Sequence, residues 1–165
     1  MASKAEWKRV QKVVSQYVKH IHDTLKKKYQ EAGIRASGEL EDLMSYGTRV
    51  VEETTIEGFL ILSEEWKYIE EGRLPGKFPN VGAIREWVRV KPIVPQPYTL
   101  PSGRTVIPTE NQIAFLIGRK IKEDGIPMNP LLQETIEESK VGFIIELRKA
   151  VSEDVREALL IELKQ

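Results

Sequence analysis

The chain has 165 residues, 41% of them hydrophobic and 30% charged, which supplies one folded domain with a core and a well-solvated surface. Its 25 basic residues balance its 25 acidic ones and it has no cysteine, which argues against a general nucleic-acid binder and excludes disulfide scaffolds and thiolate metal sites. The longest apolar runs, such as residues 113–118, fall far short of the ~20 residues a bilayer span needs, and no apolar signal-peptide core follows the early positive charge, so a soluble cytoplasmic protein is expected.

Residues 3–31 read as one long helix. Trp7, Val10, Val14, Tyr17, Ile21 and Leu25 recur every three or four positions, with Ser3 as N-cap and Gly33 as C-cap. At ~1.5 Å per residue the rod is roughly 40 Å long, so part of it is available to a neighbouring subunit. Eight basic residues face three acidic ones between positions 1 and 31. Lys26, Lys27 and Lys28 sit where positive charge favours the helix dipole, so they read either as a solvated helix end or as a contact for DNA or an acidic neighbour.

Ser37-Gly38-Glu39-Leu40 reads as a turn. Arg49-Val50-Val51-Glu52 and Phe59-Leu60-Ile61-Leu62 read as an antiparallel strand pair, with Gly58 as a bulge or a close backbone approach. Residues 64–71 predict a short helix carrying Trp66 and Ile69, ended by Gly72. Asn80 caps a helix whose stripe is Val81, Ile84, Trp87 and Val88 and which Pro92 stops.

Residues 91–108 hold five prolines, which resist regular core structure. Within them Tyr98-Thr99-Leu100 and Thr105-Val106-Ile107 flank Pro101-Ser102-Gly103-Arg104, the pattern of a small protruding β-hairpin. Thr109 and Gln112 make a capping box for a helix with the stripe Ile113, Leu116, Ile117 and Ile121, ended at Gly125. Trp87 and Leu116 are expected in the core. From Leu131 onward the chain is helical, with a bend or break expected at Ser152. Eight acids face five bases there, so the basic first helix and acidic last one suit antiparallel packing, subunit contact, or two solvated faces. The whole is an α+β single domain, with a long N-terminal helix (1–33), a small antiparallel sheet packed by helices, a Pro-rich hairpin arm (92–108) and C-terminal helices (131–165).

No cluster of reactive side chains emerges. His20 and His22 lie two apart on a helix, roughly 200° around its axis, and cannot share a metal. The segment Gly72-Arg73-Leu74-Pro75-Gly76-Lys77-Phe78 has three residues between its glycines where a phosphate loop has four, and Phe78 stands where Ser or Thr would hold magnesium. The adjacent acid pairs at Glu52, Glu64, Glu70 and Glu137 diverge rather than form a dyad, and no serine stands in a nucleophile elbow. The expectation is no enzyme, no metal and no cofactor.

The order of pieces resembles the tail-completion and head–tail connector proteins of tailed bacteriophages, which build rings in the phage neck. The likeness rests on the long N-terminal helix before the Gly38 re-entry and on Tyr68-Ile69-Glu70-Glu71-Gly72-Arg73-Leu74-Pro75-Gly76-Lys77. It continues with Ile84-Arg85-Glu86-Trp87-Val88, then Ala114-Phe115, Arg119-Lys120-Ile121 and Gly125-Ile126-Pro127. The arm from Tyr98 to Pro108 is similar to the version found in phages of gut Bacteroidota, and the match spans about residues 35–132.

The resemblance implies a structural virion protein, assembled in the host cytoplasm, that forms a homo-oligomeric ring of sixfold or twelvefold symmetry. Such a ring joins the portal and head to the tail, contacts portal, adaptor or other neck and tail proteins, and passes DNA through its channel without specific binding. Its candidate subunit-interface or channel residues are Lys26, Lys27, Lys28, Arg73, Lys77, Tyr98, Ser102, Gly103 and Arg104. The alternatives are a nucleic-acid-binding accessory protein acting through Lys19 and Lys26–Lys28, and a regulatory protein acting by helix pairing.

Overall fold

The computed structural model describes residues 7–32, 44–51, 55–63, 66–91 and 93–164. The expected caps Ser3 and Gly33, the turn Ser37–Leu40, the acid pairs at Glu52 and Glu64, and the helix stop Pro92 lie outside the described residues. The protein is α+β. Its elements in order are α1 (Lys8–Glu31), β1 (Ser45–Val51), β2 (Thr55–Ile61), α2 (Trp66–Glu70), α3 (Val81–Val90), β3 (Tyr98–Thr99), β4 (Thr105–Val106), α4 (Glu110–Asp124) and α5 (Leu131–Glu162). The described residues fall into two compact units: α1, β1, β2 and α5 belong to the first, and residues 66–91 and 93–130 to the second.

In the first unit α1 and α5 run antiparallel. Arg9 meets Asp154 near one end, the Tyr17 and Phe143 rings stack at 4.0 Å midway, and Lys28 meets Glu138 toward the other end. Val10, Ile21, Leu25 and Tyr29 of α1 are buried, as are Leu131, Thr135 and Ala150 of α5. Burying Thr135 costs little because its hydroxyl donates to the Leu131 carbonyl at 2.7 Å. β1 and β2 pair antiparallel from Ser45↔Ile61 to Val51↔Thr55. Arg49 and Glu57 stand opposite in that register and form an ion pair at 2.8 Å. Gly58 is a close backbone approach, since a Cβ there would lie 2.3 Å from a Val18 methyl of α1.

Helix α5 is continuous through Ser152, against the expected break. Ala150 and Asp154 on either side are both buried in the first unit, while Ser152 faces solvent, so packing overrides the weak local preference of one serine.

The second unit is built on α3 against α4. Ile84, Val88 and Ala114 are its buried centre, with Val81, Ile93, Ile113, Ile117 and Ile121 around them. The Asn80 side chain caps α3 by accepting from the amides of Gly82 and Ala83, and Thr109 with Gln112 forms the capping box of α4. Trp87 is 37% exposed and Leu116 48% exposed, so neither is in the core. On α4 the buried contact is made by Ala114 with Ile84 and Val88, while Gly118 leaves room for the Phe78 ring, which would lie 2.8 Å from a Cβ there. Trp87 lies on the flank of α3 with the Lys91 ammonium 4.7 Å from its ring. Leu116 lies on the opposite side of α4 from Ala114 and Gly118.

Candidate interaction surfaces

The segment before α3 is held by main-chain bonds. Arg73 and Ile126 exchange two of them at 2.8 Å each, and the Gly76 amide donates to the Lys122 carbonyl at 2.7 Å. Those amides are spent on carbonyls, so the Gly72–Phe78 turn does not point its Arg73 and Gly76 N–H groups at an anion. Gly125 has a φ of 77°, and a Cβ there would lie 2.2 Å from the Arg73 oxygen, which is why glycine occupies it. Arg73 and Lys77 are brought together: the Arg73 guanidinium donates to the Lys77 carbonyl at 3.0 Å.

Tyr98, Ser102, Gly103 and Arg104 share the β3–β4 hairpin and are all exposed. Tyr98 pairs with Val106 and Thr99 with Thr105; the tip closes by bonds from the Leu100 amide to Arg104 and from the Gly103 amide to Leu100, both 2.9 Å. Gly103 takes a φ of 81° at the tip. Beneath the hairpin, Tyr98, Pro108, Asn111, Gln112, Phe115 and Leu116 line an open cleft of about 350 Å³. Phe115 and Leu116, absent from the sequence-based candidates, give this cleft its apolar floor.

Lys26, Lys27 and Lys28 belong to the first unit. Lys28 bonds Glu138 of α5 at 2.8 Å and Lys27 lies 3.7 Å from Glu31. Lys19 is paired with Asp23 one turn on. The lysine, then His22, holds the Asp23 carboxyl below the usual carboxylate range. Bonds to Glu157 and then Asp154 raise the Arg9 guanidinium further above its ordinary value. The opposite charges of α1 and α5 are therefore partly spent on each other within one chain. Among the described residues, no three His, Asp or Glu side chains converge as a metal site, and no helix is long and apolar enough to cross a membrane.

Asp154 is the polar anchor of the first unit. Its side chain is 1% exposed and accepts from the backbone amides of Arg9 and Val10, each at 3.1 Å, and from the Arg9 guanidinium at 2.9 Å. Trp7, at the N-cap of α1, makes no side-chain capping bond, so a carboxylate from α5 satisfies amides that the local sequence leaves open. No spacing rule reveals such a cap, because its partner lies 144 residues away.

Two apolar surfaces remain in the first unit. A groove of about 550 Å³ lies between α1, β2 and α5, walled by Val14, Val18, Ile56, Phe143, Leu147 and Val151 among others. Facing away from the core, Val141, Ile145, Val155, Leu159 and Leu163 are 40–83% exposed along α5 and its end. The sequence does signal this second face: residues 141–163 carry more aliphatic positions than one buried stripe can absorb. Comparison with protein families, with characterised proteins and with solved structures finds no match to this chain.

Proposed function

We propose that this chain is a structural virion protein that forms a homo-oligomeric ring in a phage neck, joining portal and head to tail around a DNA channel. The observation that carries the reading is the amount of grouped apolar surface left open in each unit. In the first it is the outer face of α5; in the second it is the cleft of Tyr98, Phe115 and Leu116 beneath the hairpin. Contiguous exposed patches of this kind mark macromolecular contacts. The resemblance carried by the ordered motifs from Tyr68 to Pro127 supports the neck as the place of assembly.

Ring contacts join two different faces around a closed rotation. The hairpin, with Arg104 at its tip and an apolar cleft at its base, suits a contact with an adjoining neck or tail protein or with the channel. The carboxylate partners of Lys19, Lys27 and Lys28 weaken the rival nucleic-acid reading, because those charges are already partly neutralised.

Deletion of residues 98–108 tests the proposal. The shortened protein is expected to keep its far-ultraviolet circular dichroism and to leave heads and tails unjoined in an assembly reaction. Normal joining by the deletion would refute the role of the arm. Strongly salt-dependent, sub-micromolar binding of the intact chain to DNA would favour the rival.

A further inference from the structure

The second unit carries surplus positive charge. Between positions 66 and 130 ten basic residues stand against six acidic ones, although the whole chain is neutral. Part of that surplus gathers at the end of α4. The Arg73 guanidinium donates to the Lys77 carbonyl at 3.0 Å, and the Lys122 carbonyl accepts from the Gly76 amide at 2.7 Å, so three cationic residues share one small area. Among the described residues no carboxylate pairs with any of the three. The acids next to Lys122 are engaged elsewhere: Glu123 meets Arg119 and Asp124 meets Lys120. They lie roughly 100° and 160° around α4 from Lys122. Glu71 stands two residues before Arg73 without pairing with it. The last turn of α4 contributes about half a negative charge, which offsets only a fraction of three cations.

The turn that presents this charge is firmly held. Arg73 exchanges two main-chain bonds with Ile126, and Gly72 packs where a Cβ would lie 2.5 Å from the Ile126 oxygen. At the other end Phe78 sits over Gly118, one helical turn before Lys122, with its ring 5.5 Å from that of Phe115. Between these anchors Leu74 stands 86% exposed beside Pro75. The result is a pre-organised apolar tip with Arg73 on one side and Lys77 on the other. Because the Arg73 and Gly76 amides are spent on carbonyls, an anion here is met by side chains. Arg73 keeps further N–H donors after bonding Lys77, and each lysine brings an ammonium group.

A cluster of unpaired cations calls for a polyanion, and the apolar tip selects among polyanions. One leucine offers a bilayer less hydrocarbon than a single myristoyl chain, which is itself only a marginal anchor. Duplex DNA uses both parts of the turn. Its phosphates take the cations, and its minor groove admits apolar wedges such as Leu, Met and Pro flanked by Arg or Lys. We infer that the Arg73–Lys77 turn, together with Lys122, is a contact site for duplex DNA, with three cations on phosphates and Leu74 in the minor groove. Leucine has no hydrogen-bonding group in its side chain, so the contact is independent of base sequence. It belongs to the second unit of a single copy and stands whether or not copies assemble. It is also separate from the α1 lysines of the rival reading.

Fluorescence anisotropy of the full-length protein with a labelled mixed-sequence duplex of about 20 base pairs tests the site. Three phosphate contacts give a log–log salt slope of roughly −2.7, so affinity should fall roughly fortyfold between about 50 and 200 mM salt. Affinity in the micromolar range is expected, weaker than the sub-micromolar binding that would mark the rival. Lys77→Gln and Lys122→Gln, both at exposed positions, should keep the parental circular dichroism. Each should bring the slope to roughly −1.8, a fall of roughly twelvefold over the same range. Lys27→Gln on α1 should leave the slope where it is. Leu74→Ser should weaken binding several-fold at every salt concentration without changing the slope, and parental affinity in that variant would overturn the wedge.

No binding at low salt would overturn the inference, as would a slope that Lys27→Gln lowers and Lys77→Gln and Lys122→Gln leave alone. Phosphatidylglycerol vesicles that retain the protein under conditions where the duplex does not would assign the turn to a membrane instead. Polyglutamate competing as well as duplex at equal charge would assign it to acidic proteins, and either result would overturn the inference. All of these readings are made on single copies, so they leave the ring reading to its own test.

Discussion

Replacing Asp154 by alanine removes one carboxylate and opens the N-terminus of a helix more than a hundred residues away. The structure gives the terms. Two amides at 3.1 Å lose their acceptor, in a setting where the carboxylate side chain is 1% exposed. Loss of an N-cap acceptor costs ~0.5–2 kcal/mol, and a partly buried charge on a helix end contributes up to ~2 kcal/mol. Arg9 is not orphaned, because it keeps Glu157 at 2.5 Å and Glu153 at 3.5 Å. The expected total is ~2–3 kcal/mol, which at ~2–4 °C per kcal/mol for a chain of this size lowers the Tm by roughly 5–10 °C. Asp154→Asn keeps an oxygen acceptor and gives up the charge, so it should fall about midway. Thermal and urea unfolding followed by circular dichroism at 222 nm reads both variants. An alanine variant melting within ~1 °C of the parent, or an asparagine variant less stable than the alanine one, would refute the capping argument.

Trp87→Ala should cost no more than ~1.5 kcal/mol, since the ring is partly exposed and only flanks the core; a loss of the ~3–5 kcal/mol typical of a buried aromatic would place it inside. Ala114→Leu, by contrast, overfills the fully buried α3–α4 contact and should cost ~1–3 kcal/mol, and an unchanged urea midpoint would show slack there. Gly125→Ala combines a positive φ with a Cβ 2.2 Å from the Arg73 oxygen, so it should destabilise by on the order of 2 kcal/mol or more; retention of the parental Tm would contradict the tight junction. Asp23 titrates below its ordinary value in the folded chain, so its stabilising contribution is complete above about pH 4 and is lost as pH falls through the folded value. Urea midpoints between pH 2 and 6 should therefore fall less steeply for Asp23→Asn than for the parent, and identical slopes would sink that assignment.

The local signals in the sequence translate directly where short-range chemistry decides the outcome. Asn80 and the Thr109–Gln112 box mark the starts of α3 and α4, because a cap is a matter of side chain and amide a few residues apart. The strand pair and the tight approach at Gly58 follow from β-branched runs and the missing Cβ. The errors share a physical origin. Reading large side chains as the core put Trp87 and Leu116 inside, whereas α4 meets α3 through the fully buried Ala114 and makes room for Phe78 at Gly118, and small size carries no hydropathy signal. The break expected at Ser152 fails because burial on both sides outweighs one residue's propensity. Among the candidate contacts, Lys27 and Lys28 are legible as charges but not as partners of Glu31 and Glu138, the second of which depends on the antiparallel packing of α1 and α5. Asp154 is invisible for the same reason, since its role exists only once the two helices meet.

The central claim is that the chain acts by self-association into a closed ring. Sedimentation velocity combined with negative-stain imaging of the purified full-length protein, over a wide concentration range, tests it most directly. The account predicts a shift from single copies to rings of one fixed copy number, six or twelve, with little material in between. Single, separate copies at every concentration would contradict it.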